Sequence, residues 1–328
     1  MILVTGGGGF IGSHLVKKLL KQGESVRVME RPGANVTHLP QDKIEIVFND
    51  LRDLEGIQKL TRNCKQVYHL AADPNLWRKD PAEFDAVNHI GTVNVIKAAL
   101  DNGAQRILHC STESILTSES FNGGTVEDMV LNEQDMMGPY CLSKYRAEKA
   151  AFEFARESQA VIVASPTLPV GPGDRLLTPP TRMNVAFCRG ELPAILDCSI
   201  NLIDVRDVAT GMIAAMAKGK PGVRYLLGNE NMMLSEWLAL LGGNCAQNVP
   251  KFNVPYSVAL TAAWFSEHWS TYVTGRMPMA TMTGVRLTKR SMHFDPSPSL
   301  KALDLSPRPV KESAVDAVTW YRKQGWLT

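Results

Sequence analysis

The chain has 328 residues, of which 45% are apolar and 21% charged, and its formal net charge is +2. This composition is typical of a globular protein with one large domain or two coupled ones, and the near-neutral charge gives no electrostatic basis for binding nucleic acid or anionic lipid. No apolar run reaches the roughly 18 residues of a membrane span, and a strand that begins at residue 2 leaves no room for a signal peptide.

Cysteine and histidine usage favours reducing conditions and predicts no metal. The six cysteines are scattered without a C-x-x-C pair, which favours free thiols in a cytoplasmic protein over a disulfide framework. The seven histidines show no metal-ligand spacing. We therefore expect a cytoplasmic protein whose partner is a small-molecule substrate, with neither nucleic acid nor a membrane span involved.

The first predicted element is a buried strand that leads through glycines into a helix. Residues 2–4 are apolar without a polar break, as in a strand buried on both faces. Residues 5–12 read TGGGGFIG, and residues 13–22 continue at helical spacing. Glycine lets the main chain approach a ligand, and a helix N-terminus favours an anion. Gly6, Gly9 and Gly12 therefore predict a pyrophosphate site, a flexible glycine loop being the alternative.

A second predicted strand, residues 25–30, ends on an acidic residue. Glu30 could accept hydrogen bonds from both hydroxyls of an adenosine ribose, as in dinucleotide-binding folds. Arg31 could instead pair with a 2′-phosphate. We favour NAD because a carboxylate repels that phosphate, with NADP or two solvated charges as alternatives.

Strands at residues 44–48 and 66–70 follow, with a short helix at 54–61 between them. Asp50 lies at a strand's carboxyl end, where it would contact adenine or cap a helix. Ala71 and Ala72 are small enough to permit close approach of a cofactor. A long helix over residues 81–102 carries Asn88, which would be a surface or capping residue unless a site below needs its amide.

A fifth strand, residues 106–110, runs into Ser111 and Thr112. Residues 117–136 are polar, contain Asn122 and two glycines, and predict a mobile loop or lid. A helix over residues 140–157 and a sixth strand at 161–164 follow. Strands that alternate with helices predict an α/β protein with a doubly wound, Rossmann-type parallel sheet.

The texture changes after Ser165, where prolines interrupt the chain. We assign residues 1–164 to a dinucleotide-binding domain and 165–328 mainly to a smaller, interleaved substrate-binding portion, some segments of which return to the sheet. The predicted helices there are 181–189, 207–218, 235–241, 255–274 and 311–324, and the strand-like pieces are 194–195, 202–204 and 224–227.

The helix over residues 255–274 is rich in aromatic side chains. We expect it to pack into the core, with a wall for an apolar substrate as the alternative. Docking on a membrane surface is a third reading, but the helix's polar face lacks the Lys/Arg enrichment expected there. The aromatic residues are Tyr256, Trp264, Phe265, Trp269 and Tyr272.

Thr112, Tyr140 and Lys144 form the constellation that carries chemistry. Tyr140 and Lys144 are four residues apart and share one helix face. An ammonium one turn away is expected to stabilise the phenolate and lower the pKa of Tyr140, which is near 10 in free tyrosine. The hydroxyl of Thr112 would hold a substrate oxygen beside the tyrosine. Such a site moves a proton at a carbinol or ketone while a nicotinamide carries the hydride.

These patterns carry a family resemblance. The matching segments are residues 5–12 (TGGGGFIG), 50–53 (DLRD), 69–72 (HLAA), Asn88 with 91–92 (GT), 111–112 (ST) and 140–144 (YCLSK). The sequence resembles the extended short-chain dehydrogenases/reductases, the NAD-dependent epimerase/dehydratase superfamily. Residues 72–73, 76–77, 165–174, 201–209, 224–228 and 305–310 make it most similar to the hopanoid-associated sugar epimerase and dihydroflavonol-reductase-like branch.

The resemblance implies a role for each matching residue. Tyr140 would be the catalytic acid/base, Lys144 would bind the nicotinamide ribose, Thr112 would bond the reacting oxygen, and Asn88 would support this network. The implied cofactor contacts are Gly6, Gly9, Phe10, Ile11, Gly12, Glu30, Arg31, Asp50, Leu51, Leu70, Ala71, Ala72, Tyr140, Lys144, Pro166 and Thr167. Candidate substrate contacts are Asp73, Glu113, Arg175 and Asn201.

The chain departs from the family pattern beside the reacting oxygen. Thr112 stands where the branch usually has serine, which keeps the hydroxyl and narrows the site. Glu113 and Ser114 occupy the place of an Asp-Glu pair in sugar 4,6-dehydratases. Because Ser114 cannot act as a base, dehydration is disfavoured, while Glu113 is either an extra acid or a solvated charge.

We expect an NAD(P)-dependent oxidoreductase/epimerase, with a nucleotide-sugar epimerase as the primary reading. The alternative is an NAD(P)H-dependent ketone reductase or alcohol dehydrogenase acting on an apolar or acyl substrate. A non-catalytic dinucleotide-binding sensor is a remoter alternative. The resemblance also implies a homodimer formed through helices 84–102 and 140–157.

Overall fold

The computed structural model describes residues 1–118, 121, 123–127 and 129–327. The strands of this part are β1 (Ile2–Thr5), β2 (Val26–Glu30), β3 (Ile44–Phe48), β4 (Gln66–His69), β5 (Arg106–Cys110), β6 (Val161–Pro166), β7 (Leu168–Val170), β8 (Ser199–Asp204), β9 (Arg224–Leu227) and β10 (Glu230–Met233). The α-helices are α1 (Phe10–Lys21), α2 (Leu54–Leu60), α3 (Ala82–Phe84), α4 (Gly91–Asp101), α5 (Gly138–Ser158), α6 (Pro179–Cys188), α7 (Val205–Lys218), α8 (Leu234–Cys245), α9 (Tyr256–Trp269), α10 (Met282–Leu287), α11 (Ser297–Leu303) and α12 (Val310–Lys323).

Seven strands form one parallel sheet in the order β3-β2-β1-β4-β5-β6-β9. The order reverses direction beside β1, as in a doubly wound dinucleotide-binding sheet. The predicted Rossmann-type α/β fold is therefore confirmed. β9 comes from the second half of the chain and pairs with β6 at the sheet edge, with Val163 opposite Arg224. The division of the chain at residue 165 stays a prediction.

Helices cover both faces of this sheet and bury its apolar strands. On one face α1 and α7 contribute Leu15 and Met212 to a core with Val4 of β1. On the other face α2, α4 and α5 pack over the sheet with residues such as Val95 and Ala151. Every residue of β1 is buried, as the unbroken apolar run predicts.

A second, three-stranded sheet in the order β10-β8-β7 supports the C-terminal half. It packs with α6, α8 and α12 around the buried Trp237, whose indole N–H donates to Asn184 Oδ1 at 3.1 Å. The strand predicted at residues 194–195 is reduced to a single bridge between Ile195 and Asn253.

The predicted helix over residues 81–102 is not a continuous α-helix. α3 passes into a π-helical segment, Asp85–Ile90, before α4 begins. Such a segment inserts an extra residue into the helical ladder and is frequent at functional sites. Here it carries Asn88, which is 1% exposed, so the surface position considered for this residue is wrong.

The expectation that the aromatic helix packs into the core is wrong. In α9 and the π-helical turn Ser270–Thr274 that extends it, Phe265 and Trp269 are each 62% exposed and Tyr272 is 80% exposed. Ala263 is the one buried residue of α9. The apolar side chains of this helix lie on all of its sides. The neighbouring α10 covers only a narrow face of it. Across the described residues, no helix is long and apolar enough to cross a bilayer.

Candidate functional site

The glycine turn between β1 and α1 has the shape of an anion cradle. Gly6 has φ +71°, and a Cβ there would lie 2.8 Å from the amide nitrogen of Ala71. A Cβ on Gly12 would lie 2.1 Å from the carbonyl oxygen of Gly6. Both positions therefore require glycine, because any side chain would displace main chain.

The N-terminus of α1 is open to an anion. The helix begins after Gly9, and within the described residues no side chain caps this end and no acid stands in its first turn. The N–H groups of Phe10 and Ile11 belong to the first turn, which has no acceptor inside the helix. A pyrophosphate therefore fits this cradle without displacing any protein carboxylate.

Glu30 lies at the end of β2 directly under the turn. Its Oε1 accepts a hydrogen bond from the amide N–H of Gly8 at 2.6 Å, and burial raises the pKa of its carboxyl. This is the position in which a carboxylate can meet a ribose. Arg31, next in the chain, is exposed.

Arg175 lies on the glycine-turn side of the molecule. Its guanidinium donates to Gln324 Oε1 at 2.9 Å and stands over the ring of Trp320. Its charge also lowers the pKa values of Lys17 and His38, after the larger effect of burial in both cases. The structure therefore groups Arg175 with these cations and does not bring it to Thr112 and Tyr140. Its role at the substrate stays a prediction.

The other adenosine-side candidates lie near the ends of β3 and β4. Asp50 binds Arg52 at 2.6 and 2.8 Å, which lowers the pKa of its carboxyl. The helix cap is Asp53, which accepts the amide N–H of Gly56 at 3.0 Å, so the capping alternative for Asp50 is wrong. Leu51 is buried against Gly91.

The end of β4 is held against the end of β1. The amides of Leu70 and Ala71 donate to the carbonyl and the hydroxyl of Thr5, at 3.1 and 3.2 Å. Ala72 follows and is half-buried. These small residues therefore border the glycine turn, as the sequence predicts.

Thr112, Glu113 and Tyr140 come together just beyond β5. The Thr112 hydroxyl donates to Glu113 Oε2 at 3.1 Å and lies 3.0 Å from Ser114 Oγ, and Thr112 is close enough to Tyr140 to lower the pKa of its phenol against the larger effect of burial. Burial raises the pKa of Glu113 to about 7. Glu113 is therefore part of a hydrogen-bonded chain in the site, and the reading of it as a solvated charge is wrong.

Lys144 does not bring the pKa of Tyr140 below its ordinary value in this structure. Its ammonium is buried and donates to the carbonyl oxygen of Cys110 at 2.8 Å, and burial lowers the pKa of the lysine itself. Burial raises the pKa of Tyr140, and nearby Cys141 and Glu113 raise it further. The phenol is therefore held in its protonated form, contrary to the expectation from spacing.

Asn88 ties two parts of the site together. Its Oδ1 accepts the amide N–H of Asp73 at 2.7 Å, and its Nδ2 donates to the Asp73 carbonyl at 3.2 Å and to Ser143 Oγ at 3.0 Å. The Asp73 carboxylate is occupied by Arg78 and by Asn75, whose Nδ2 lies 2.6 Å from Oδ1. The Asp73 carboxylate therefore stabilises the loop that contains it. Contact between Asp73 and a substrate stays a prediction.

Pro166, Thr167 and Asn201 meet where the two sheets join. Pro166 pairs with Leu227, and the buried Thr167 donates its amide N–H to the Leu227 carbonyl at 2.9 Å. A Cβ on Gly228 would lie 2.6 Å from Asn201 Oδ1 and 2.9 Å from Thr167 Cγ2. Asn201 is 2% exposed and donates to Asn231 Oδ1 at 2.7 Å, which makes it a strut of the small sheet.

Sequence reasoning missed the apolar surroundings of Tyr140. Its ring meets that of Phe84 edge-on with centroids 6.2 Å apart. The two consecutive methionines just before α5, Met136 and Met137, are the sequence feature that could have indicated these apolar surroundings. The side chains that form this apolar cluster include Met136, Met137, Tyr145, Leu226, Leu287, Met292 and Phe294.

Helix α10 lies beside the start of α5. A Cβ on Gly138, two residues before Tyr140, would lie 2.3 Å from Thr283 Oγ1. A Cβ on Gly284 would lie 3.4 Å from a methyl carbon of Leu76. The C-terminal half therefore borders the start of α5, two residues before Tyr140, through α10.

The segment predicted as a lid is anchored in its described part. Arg224 of β9 donates to the carbonyl oxygens of Val126 and Met129 at 2.6 and 3.2 Å. Asn122, one of the residues on which the lid prediction rests, lies outside the described residues.

Comparison with known proteins agrees with this geometry. The model of the NAD dependent epimerase/dehydratase family matches residues 2–228. The putative dihydroflavonol 4-reductase of Synechocystis sp. is 34% identical over 328 residues, covering 99% of this chain and 95% of the relative. Sterol demethylase protein B of Methylococcus capsulatus is 27% identical over 326 residues, covering 99% of both chains.

Solved structures agree along the whole chain. The crystal structure of gox2253 superposes with a TM-score of 0.86 and 31% identity, covering 100% of this chain and 99% of that one. Solved nucleotide-sugar epimerases and dehydratases share the fold at 19–22% identity. Further relatives by sequence are named as reductases.

Proposed function

The chain belongs to the NAD dependent epimerase/dehydratase family, and from that membership we propose that it is an NAD(P)-dependent reductase of a carbonyl carbon in an apolar substrate. The observation that carries this proposal is that Tyr140 packs against the same apolar cluster as Met136 and Met137 and has the ring of Phe84 edge-on to it. A site lined in this way favours a hydrocarbon-rich substrate over a sugar.

Ion pairing leaves three arginines of the second half unavailable to a diphosphate. A nucleotide sugar carries a diphosphate, which proteins usually bind with free arginines or lysines. Three arginines there are already paired with carboxylates: Arg206 with Asp204 and Asp316, Arg308 with Asp207, and Arg224 with Glu148. The Synechocystis relative carries the name of a reductase and the Methylococcus relative that of a sterol demethylase protein.

The protonated state of Tyr140 suits reduction. We propose that its phenol donates a proton to the carbonyl oxygen of the substrate as that carbon receives hydride. Thr112 then donates to the phenolate, and Glu113, whose pKa is about 7, resupplies the proton through Thr112. A bound nicotinamide supplies the hydride.

We further propose that NAD is the preferred dinucleotide. Gly6, Gly9 and Gly12 with the first turn of α1 would hold the pyrophosphate, and Lys144 the nicotinamide ribose. Glu30 would accept the hydroxyls of the adenosine ribose, where its carboxylate would repel a 2′-phosphate. Support comes from the bond of Glu30 to Gly8, which aims the carboxylate at the turn.

The test is turnover of purified protein with either reduced dinucleotide and a panel of medium-chain and cyclic ketones, beside UDP- and dTDP-glucose. We expect the absorbance of the reduced nicotinamide to fall steadily with apolar ketones. The Tyr140→Phe variant should show no such fall, because it should not turn over. Isomerisation of a nucleotide sugar by protein that retains its cofactor, without net absorbance change, would establish the epimerase instead. If Tyr140→Phe left every activity unchanged, the non-catalytic sensor would be the better reading. The homodimer through α4 and α5 is a proposal that sedimentation velocity tests.

A further inference from the structure

Helix α9 and its π-helical extension present a bare aromatic surface. Five residues spaced three or four apart lie on one exposed face, Val258, Ala262, Phe265, Trp269 and Tyr272. Their spacing places them in one line along the helix. Contiguous apolar surface of this kind marks an interaction site when it is left open to water. We call these five residues the α9 surface.

Two further exposed apolar residues extend the α9 surface beyond the ends of the helix. Phe252, before α9, is 76% exposed, and Met279, after the π-helical turn, is fully exposed. Exposed apolar side chains therefore continue along the chain on both sides of the helix. A separate groove lined by Leu260, Trp264 and Met282 lies between α9 and α10.

The segment that carries the α9 surface is positively charged. Residues 251–290 contain five lysines and arginines and one acidic residue, a net charge of +4. Because the whole chain carries +2, the other 288 residues together carry −2. The exposed cations of this segment are Lys251, Arg276, Arg286 and Lys289.

The charges lie where they can serve this surface. Exposed cations stand at both ends of the helix, since Lys251 precedes α9 and Arg276 lies two residues after the π-helical turn. The ammonium of Lys289 lies 4.0 Å from the centre of the Tyr256 ring, on the α10 side of the helix. The single acid, Glu267, accepts the amide N–H of Met282 at 2.7 Å, and burial raises the pKa of its carboxyl. An apolar face with a cationic border matches a surface that is apolar inside and anionic at its edge.

We propose that the α9 surface docks this protein on a membrane that carries anionic phospholipid. An amphipathic helix with aromatic residues on one side and Lys/Arg beside it lies in the plane of the bilayer and enters the headgroup boundary. The tyrosine and tryptophan side chains suit that boundary because each combines an apolar ring with a polar group. The basic residues add attraction to the anionic headgroups.

A second copy of this chain fits the α9 surface less well. An isologous interface brings the same patch of two subunits together, so each +4 segment would face its own copy. Like charges placed face to face oppose association. The polar face of the helix itself carries no lysine or arginine, and the cations come from the segments that flank it.

Helix α9 is linked to the start of α5 through α10. Glu267 of α9 holds the start of α10, and Thr283 of α10 lies against Gly138, two residues from Tyr140. Docking through α9 would therefore bring a substrate dissolved in the bilayer to the end of the molecule at which α5 begins. This delivery rests on the proposed reductase function, whereas the docking itself does not.

Sedimentation with lipid vesicles tests the docking. Vesicles of phosphatidylcholine alone are compared with vesicles in which about a third of the lipid is phosphatidylglycerol. We expect binding to the mixed vesicles that weakens as salt rises. Phe265→Ser with Trp269→Ser should weaken it by about tenfold or more, and Lys251→Glu with Arg276→Glu by a similar factor.

Matched controls lie on the opposite, C-terminal helices. Val315→Ser removes an exposed apolar side chain from α12, and Lys301→Glu reverses an exposed charge on α11. Both should bind vesicles as the wild type does. Because all the altered side chains are exposed, circular dichroism and melting should be unchanged throughout.

Three results would overturn the docking proposal. They are wild-type protein that ignores mixed vesicles, binding that is indifferent to the anionic lipid, and a dimer in solution that Trp269→Ser dissociates without any vesicle binding. Since vesicle binding needs no turnover, its failure is distinguishable from failure of the reductase assay.

Discussion

Arg224 of β9 and Glu148 of α5 form a buried ion pair that joins the sheet edge to the helix of the reacting tyrosine. The guanidinium donates to Glu148 Oε1 through two nitrogens, at 2.7 and 3.1 Å, and the side chains are 5% and 2% exposed. The same guanidinium binds the carbonyl oxygens of Val126 and Met129. One cation therefore fixes β9, α5 and the segment beyond Thr112 relative to each other.

Removing one partner of this ion pair should destabilise the protein more than replacing both partners with apolar residues. Glu148→Gln leaves a buried guanidinium without its counter-charge, and we expect the free energy of unfolding to fall by about 3–5 kcal/mol. The double variant Glu148→Leu with Arg224→Met removes both charges and should be less destabilised than Glu148→Gln. Urea unfolding of the wild type and the two variants measures these free energies of unfolding. A double variant less stable than Glu148→Gln would contradict the prediction.

Tyr140→Phe should remove the proton donor and leave the fold intact. General acid catalysis contributes about 10²–10⁴-fold, so kcat should fall by that factor while dinucleotide binding is kept. Tyr145→Phe is the matched control on the same helix, since its hydroxyl makes only a 3.5 Å contact with the Leu131 carbonyl. Equal loss of kcat in the two variants would count against the assigned role.

Glu113 should make stability depend on pH between about 4.5 and 7. Its folded-state pKa of about 7 lies above the ordinary value of 4.5, so in this range the folded protein binds more protons than the unfolded chain. The stabilisation is full below about pH 4.5 and is lost as pH rises through about 7. Glu113→Gln lacks this dependence, so the free energy of unfolding of the wild type relative to the variant should fall by roughly 2–3 kcal/mol from pH 4.5 to 8. A constant difference would show that Glu113 titrates normally.

Gly12→Ala should disrupt the cradle, because its Cβ would lie 2.1 Å from the Gly6 carbonyl oxygen. Forcing main chain apart costs about 1–3 kcal/mol, and dinucleotide affinity should fall with the displaced turn. Gly243→Ala is the control, since a Cβ there meets nothing within 4 Å and alanine favours the helix α8. Melting curves with and without NAD measure both effects, and full affinity in Gly12→Ala would be the contrary result.

Glu30→Ala should shift cofactor preference toward NADP. Loss of a charged hydrogen-bond acceptor costs about 1.5–3 kcal/mol, so the ratio of kcat/KM for NADH over NADPH should drop roughly tenfold or more. Glu24→Ala, an exposed acid before β2, should leave the ratio unchanged. A wild type that already prefers NADPH would refute the assignment of NAD.

Local signals predicted much of the fold. The strands at 44–48, 106–110 and 224–227 have the bounds that their apolar runs predict. The spacing of Tyr140 and Lys144 placed both beside Thr112, because helix geometry and sheet topology together fix where the ends of β5 and α5 meet. The glycine turn was also predictable, because its backbone conformation requires glycine at individual positions of the sequence.

What the sequence could not predict depends on contacts across the fold. Lys144 binds the Cys110 carbonyl instead of stabilising the phenolate, and no spacing rule shows which acceptor a buried ammonium will meet. Trp269 is exposed because α10 covers another face of α9. A helix with apolar residues on all sides has no sequence pattern that indicates which face will be buried. Asp53 rather than Asp50 caps α2 because the helix begins at Leu54, directly after Asp53, while the Asp50 carboxylate is bound to Arg52.

The π-helical segment at Asp85–Ile90 also sets the phase of the helix that follows it. One inserted residue rotates everything after it by about 100° relative to an uninterrupted α-helix. That rotation allows Asn88 to face Asp73 while Gly91 faces Leu51. A helical wheel drawn through residues 82–101 with a single period therefore assigns half of its positions to the wrong face. Deleting one residue from the segment should separate the two contacts, leaving a well-formed helix that can satisfy either the site or the core.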